Sequence, residues 1–139
     1  MKIDLDKIKK FFANDKFAKI AGIEIESIKE DSVKCKMEIK DIHKNSVLSV
    51  HGGAIFTLAD FTFGIHSNLH NLCGADVGNT VGQSCSISYL KSTKGSYLIA
   101  KSKCLNKGRT MSVYQINITD DLGEEIATMI ANGFTIAKK

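Results

Sequence analysis

The residues from Gly52 to Leu72, GGAIFTLADFTFGIHSNLHNL, decide the fold. At roughly 1.5 Å per residue they make a helix of about 30 Å. The run is apolar on almost every face until His66, Asn68, His70 and Asn71. A helix of that kind belongs in the middle of a fold rather than on its surface. Gly74 is a suitable terminator. His51-Gly52-Gly53 opens the helix, and the glycine pair exposes backbone N–H groups at its positive end. An oxyanion or a carbonyl oxygen would be held there. Asp60 is the one carboxylate in the run, between Ala59 and Phe61. Burying an ionised carboxylate is costly unless it is paired or hydrogen-bonded. Asp60 is therefore either chemistry or a hydrogen-bonding residue of an interface.

Working outward, Leu5, Ile8, Phe11 and Phe12 follow helical spacing behind Asp4, which predicts an N-terminal helical segment over about 4–17. Gly22 ends that region. Ile23 to Lys29 and then Val33, Cys35, Met37 and Ile39 alternate around Glu30-Asp31-Ser32, the pattern of a β-hairpin. A polar loop, 41–50, leads into the central helix. Strands follow over 77–90, 96–105, 110–119 and 125–136, with turns at Lys107-Gly108 and at 120–123. Asn132-Gly133 marks a turn or a bulge within the last. One long helix and consecutive strands make an α+β domain with a largely antiparallel sheet. The sheet's other face has no second layer, which points to self-association.

A chain of 139 residues, 43% hydrophobic, suits one domain, 1–139, with a real core. The net charge of +4 is modest and forms no basic stripe, so nucleic acid is not an expected partner. The excess serves solubility or a small anionic ligand. No apolar run is long enough to span a membrane and no export signal is evident, so the cytoplasm is the expected compartment. Free cysteines are expected there, with Cys35, Cys85 and Cys104 as small core fillers. Arg109 is the single arginine. Its fork suits phosphate in a way that lysine does not.

Asn45, His51-Gly52-Gly53-Ala54, Leu58-Ala59-Asp60 with Phe63-Gly64, and Ser86-Ile87-Ser88-Tyr89-Leu90 resemble the hotdog-fold acyl-CoA thioesterases, specifically the phenylacetate-degradation type. Lys107-Gly108-Arg109 and the run from Ile118 to Ala127 extend the resemblance over roughly 20–136. It implies a hotdog fold, in which a curved antiparallel sheet wraps the long central helix. It also implies a homodimer joined edge to edge, with pairing into a tetramer favoured, and an active site at the dimer interface. In that family Asp60 corresponds to the general base or nucleophile. Gly52 corresponds to the residue whose N–H polarises the thioester carbonyl, and Asn45 and His51 to supporting polar residues. The implied reaction is hydrolysis of an acyl-CoA, with a medium-chain or aryl acyl group, to free acid and coenzyme A. Coenzyme A is then part of the substrate, and no cofactor is needed. Two departures stand out. Leu48 replaces a common glycine three residues after Asn45, which would reshape the loop. Lys91-Ser92 replaces Arg-Pro.

The same residues carry chemistry of their own. Asp60 follows Gly52 by eight residues, about 12 Å along one helix, so one carbonyl cannot touch both within a subunit. Two antiparallel helices would bring Asp60 of one chain to Gly52 of the other. Gly53 shares the helix head. Phe56, Phe61 and Phe63 are core, or one or two of them, Phe63 among them, line an acyl pocket. The resemblance further implies a polar side chain on the strand before Tyr89 that helps hold an attacking water, a place for Gln83 or Ser84, or one that Gly82 would leave empty. Arg109 would meet the coenzyme A phosphates, with Lys91 a weaker choice. Asn45 would instead cap its own turn. His66 and His70 lie one turn apart, but lack the three or four ligands that zinc wants. Two other functions compete. One is a non-catalytic acyl-CoA-binding protein, which need not keep Asp60. The other is a hydratase or dehydratase on the same fold, which pairs a catalytic His with an acid.

Overall fold

A computed structural model describes residues 1–137 of the chain. Six antiparallel strands form one sheet in the order β1-β2-β4-β5-β6-β3. They are β1 (Ile23–Lys29), β2 (Ser32–Glu38), β3 (Asn79–Tyr89), β4 (Tyr97–Lys107), β5 (Met111–Asp120) and β6 (Glu125–Ile136). The inner face packs on α3 (Gly52–Ser67) through Met37, Leu98, Ala100, Tyr114, Ile116, Ile118, Met129 and Ala131, all buried. This is the α+β hotdog architecture. Among the described residues no helix is long and apolar enough to cross a membrane.

The N-terminal segment differs from the single helix expected over 4–17. It forms α1 (Leu5–Phe12) and α2 (Lys16–Ala21). Asp4 caps α1 by accepting from the Lys7 N–H, and Asp15 starts α2 by accepting from the Ala18 N–H. A second good cap within the window outcompetes continuation of the first helix. Gly22, at φ +79°, ends α2.

The central helix is also shorter than the sequence pattern. It stops at Ser67, and α4 (Leu69–Leu72) follows as a separate turn. Asn68 causes the break. Its side-chain amide donates to the Gly64 and Thr80 carbonyls, and its Oδ1 accepts from the Thr80 N–H. These bonds tie the helix end to β3 in place of continued helix.

Asn132-Gly133 is not a turn. Gly133 pairs with Gly82 across β6 and β3. A side chain on either glycine would meet the ring of Phe63, at 3.5 Å from Gly82 and 3.3 Å from Gly133. The pair forms a slot that receives Phe63. The bulge falls on the opposite strand, where Gln83 is the extra residue between Gly82 and Ser84.

The outer sheet face carries Lys36, Lys101, Lys103, Gln115 and Asn117, and Lys34 stands directly opposite Lys101. That face is polar and needs no apolar cover. The case for self-association rests instead on β3, an eleven-residue strand with one open edge. A long unpaired edge is a template for another strand.

Candidate active site

The head of α3 is held from several sides. His51 takes extended backbone and its Nδ1 accepts from the Gly53 N–H at 2.9 Å. Its own N–H donates to the His43 carbonyl at 2.6 Å. His43 is buried, accepting from the Lys40 N–H at Nδ1, so that its Nε2–H donates to the Ala21 carbonyl. Tyr89 Oη donates to the Gly52 carbonyl at 3.0 Å. The Ala54 and Ile55 N–H groups turn back to the His51 carbonyl. Among the hydrogen bonds of the described residues, the Gly52 N–H alone of this first turn has no acceptor. It is a fixed donor at the positive end of a sixteen-residue helix.

Gly52 needs its lack of a side chain. A Cβ there would lie 3.1 to 3.4 Å from the Tyr89 ring. Beside it opens a cavity of about 440 Å³, lined by Asn45, Gly52, Tyr89, Lys91, Thr93 and Ile126 among others. Asn45 caps its own turn and also lines this cavity. Its Oδ1 accepts from the Val47 and Ser49 N–H groups, capping the turn, and its side chain reaches the cavity wall. Only its amide N–H groups remain for a ligand. Leu48 does not open this turn. It takes φ +64°, the left-handed conformation that glycine adopts without strain, and its N–H still donates to the Asn45 carbonyl at 2.9 Å.

Asp60 is not sealed in the core. Ile55, Leu58, Ala59, Phe61, Thr62 and Phe63 turn inward, whereas Asp60 emerges on the open face of α3 with Gly53. Burial by the apolar groups around it still holds the carboxyl above its ordinary value of 3.8, and the Asp15 charge adds to this. The β3 residue beside it is Cys85, whose thiol is raised by burial and by the Asp60 charge.

The other expected site residues scatter. Phe63 is core, buried against Gly82 and Gly133 and edge-on to Tyr114 at 5.6 Å, because two strand positions without side chains leave room for its ring. Ser84 lies on the outer sheet face, accepting from Asn132 Nδ2, because the bulge before it reverses the count. Gln83 is the exposed bulge residue. Gly53 spends its N–H on His51. Lys91 is committed to Glu124 at 2.6 Å. Arg109 is exposed in the β4–β5 turn, at the sheet end where α3 finishes, while Gly52 sits at the other end beside Tyr89. His66 is structural: Ser102 Oγ pairs with its Nδ1 at 2.7 Å, and its Nε2–H donates to the Glu30 carbonyl. Among the described residues no group of three or more His, Cys, Asp or Glu side chains could hold a metal ion. Tyr89 is the residue that sequence reasoning passed over. Its alternation with Ile87 and Cys85 already put it on the inner face.

A long central helix with a six-stranded antiparallel sheet wrapped behind it defines a hotdog protein. The chain belongs to the thioesterase superfamily, whose family model matches residues 49–127. It is 30% identical over 117 residues to the acyl-coenzyme A thioesterase PaaI of Escherichia coli, covering 84% of this chain and 79% of that protein. The solved structure of E. coli PaaI, from the phenylacetic acid degradation operon, superposes with a TM-score of 0.83 at 25% identity, over 96% of this chain and 94% of that one. A Streptococcus mutans protein solved with bound acetyl-CoA has a TM-score of 0.73 at 30% identity, covering 84% of this chain and 90% of its own.

Proposed function

We propose that this protein hydrolyses acyl-CoA thioesters to the free acid and coenzyme A, with medium-chain or aryl acyl groups, at a site shared by two copies. The observation that carries this is the unpaired Gly52 N–H together with Asp60 on the open face of the same helix. A thioester carbonyl docks on the Gly52 N–H of one subunit. Asp60 of the other takes a proton from water as the water attacks the carbonyl carbon, or attacks that carbon itself. Negative charge gathers on the carbonyl oxygen, where a preorganised N–H stabilises it more in the transition state than in the ground state. Collapse expels the coenzyme A thiolate, which takes the proton that Asp60 drew from water; on the direct route the thiolate leaves first with a solvent proton, and water then cleaves the acyl–Asp60 anhydride to free acid and the restored carboxylate. A carboxylate held above its usual range is the better base. The Asn45 amide N–H groups orient the substrate or the water. His51 shapes the helix head rather than moving protons, since its Nδ1 already serves Gly53.

Antiparallel pairing along the open β3 edge would set the Arg109 end of one chain beside the Gly52 end of its partner. Arg109 then meets the coenzyme A phosphates across the interface. A dimer satisfies this geometry, and dimers pair further into a tetramer. Free cysteines suit a cytoplasmic setting. Against a hydratase, His51 has no carboxylate partner among the hydrogen bonds and ion pairs of the described residues. A binding protein has no need of Asp60.

The test is hydrolysis of a panel of acyl-CoAs, read as free thiol released. Asp60→Asn keeps the shape and removes the base. It should retain fold and assembly and lose about 100-fold or more in kcat. Activity within about twofold of the parent would remove Asp60 from the chemistry.

A further inference from the structure

Gly64 stands on α3 one turn beyond Asp60, about 6 Å along the helix. It has no packing reason inside the chain, because a Cβ built there meets no atom within 4 Å. Glycine inside a helix is disfavoured relative to alanine, since it has more backbone freedom to lose. Here that cost preserves open space. The space leads into a cavity of about 630 Å³, well within the range of small-molecule sites. Phe11 and Phe12 of α1 cover it and Leu72 lines its floor. The Asn71–Asn79 amide pair, bonded at 2.8 Å, lies at its far end. Phe12 is fixed edge-on to Phe61 at 5.3 Å, and Phe11 edge-on to Phe12 at 5.1 Å. Phe11 is nevertheless 58% exposed, an aromatic wall that packs edge-on to Phe12 and leaves most of its surface open.

The geometry points to Gly64 as the residue that sets the size of acyl group accepted, with α1 as the roof of the acyl site. This rests on the thioesterase reading above. A thioester held at Asp60 has two arms. The coenzyme A arm is polar and ends in phosphates, which must reach solvent. The acyl arm is apolar and is stabilised by leaving water. The aromatic-walled cavity lies on the Gly64 side of Asp60 under α1, and Arg109, in the β4–β5 turn at the same end, is not part of its lining, so the acyl arm crosses Gly64 and lies under Phe11 and Phe12 while the phosphates pass to the turn. The ligand class is a medium-length or aryl acyl group. An acetyl group ends before it reaches Gly64. A second copy's helix is the competing occupant of the same space.

Gly64→Leu narrows the crossing point, and because its Cβ meets no atom within 4 Å and the rest of the side chain has the open cavity to enter, the variant should fold. Parent and variant are compared on acetyl-, hexanoyl- and phenylacetyl-CoA, with oligomer size measured by light scattering. The expected result is a loss of about tenfold or more in kcat/KM for the two larger substrates, with acetyl-CoA hydrolysis within about threefold of the parent. Phe11→Ala should raise KM for the larger two and leave acetyl-CoA alone. A uniform change across all three substrates, or no change in any, overturns the assignment. Uniform loss with a smaller assembly gives Gly64 to the subunit contact instead. If the parent cleaves none of the three, the thioesterase reading fails and this proposal fails with it.

Discussion

Replacing Gly52 with alanine probes the oxyanion donor with a single methyl group. The new Cβ would sit 3.1 Å from Tyr89 Cζ, 3.2 Å from its Oη and 3.4 Å from its Cε1. Comfortable carbon contacts are about 3.5–4.0 Å, so ring and helix head must separate by roughly 0.4–0.9 Å. The Tyr89 hydrogen bond to the Gly52 carbonyl limits how the ring can yield. Much of the shift therefore falls on the peptide that carries the donor. Complete loss of one oxyanion donor costs about 10²–10³ in kcat. A displaced donor should cost less, about 10–100-fold, which is about 1.4–2.7 kcal/mol of transition-state stabilisation. KM should change little, because the effect lies in the developing charge. The assay is saturating acyl-CoA hydrolysis followed by thiol release, with melting temperature as a control. Alanine is a better helix former than glycine, so stability should not fall far. Tyr89→Leu in the same chain gives the methyl room and should recover part of the loss. Activity of Gly52→Ala within about twofold of the parent would refute the role of the Gly52 N–H.

Leu48→Gly should raise stability by about 1 kcal/mol, because the leucine holds φ +64° while 78% exposed and gains little packing in return. For a chain of this size that is an increase of about 2–5 °C in Tm by calorimetry, and a fall would show that the turn needs the side chain. The acid limb of kcat/KM should lie above 3.8, since burial and then the Asp15 charge raise Asp60. The same shift means that the folded state holds the Asp60 proton more tightly than the unfolded one. Stability is thus lost as pH rises from 3.8 through the folded value, and Asp60→Asn should flatten that segment of a denaturation series. Burial lowers His66 from 6.5, so its contribution runs the other way, and stability should fall as pH drops below 6.5. Ser102→Ala strips His66 Nδ1 and the Val33 N–H of their partner and should cost about 1–3 kcal/mol in urea unfolding. Arg109→Ala should raise KM for acyl-CoA with kcat nearly unchanged, and an unmoved KM would leave Arg109 as a solvated turn charge.

The central helix, the hairpin and the strand order along the chain were legible because periodicity reports which face is buried. Three things were not. Asp60 reads as buried because its sequence neighbours are apolar, yet at about 100° per residue Ala59 and Phe61 point to other faces of the helix. The helix end at Ser67 depends on what Asn68 meets on β3, a partner twelve residues away that no local pattern contains. The bulge at Gln83 shifts parity by one, which moves Ser84 to the outer face and leaves Cys85 beside Asp60. Phe63 shows the same limit. Its role follows from two glycines brought opposite each other by register, and neither is near it in the chain.

The shared site is tested most directly by complementation between two defective chains. Asp60→Asn and Gly52→Ala are each purified, then co-expressed in equal amounts so that subunits mix at random. In a two-fold dimer with shared sites, each mixed dimer holds one site with both defects and one with neither, so about a quarter of all sites are intact. The account predicts that the mixed preparation recovers about a quarter of parent kcat per site, well above either variant alone. Activity no higher than the mean of the two separate variants would contradict it and place Asp60 and Gly52 of one catalytic unit within a single chain.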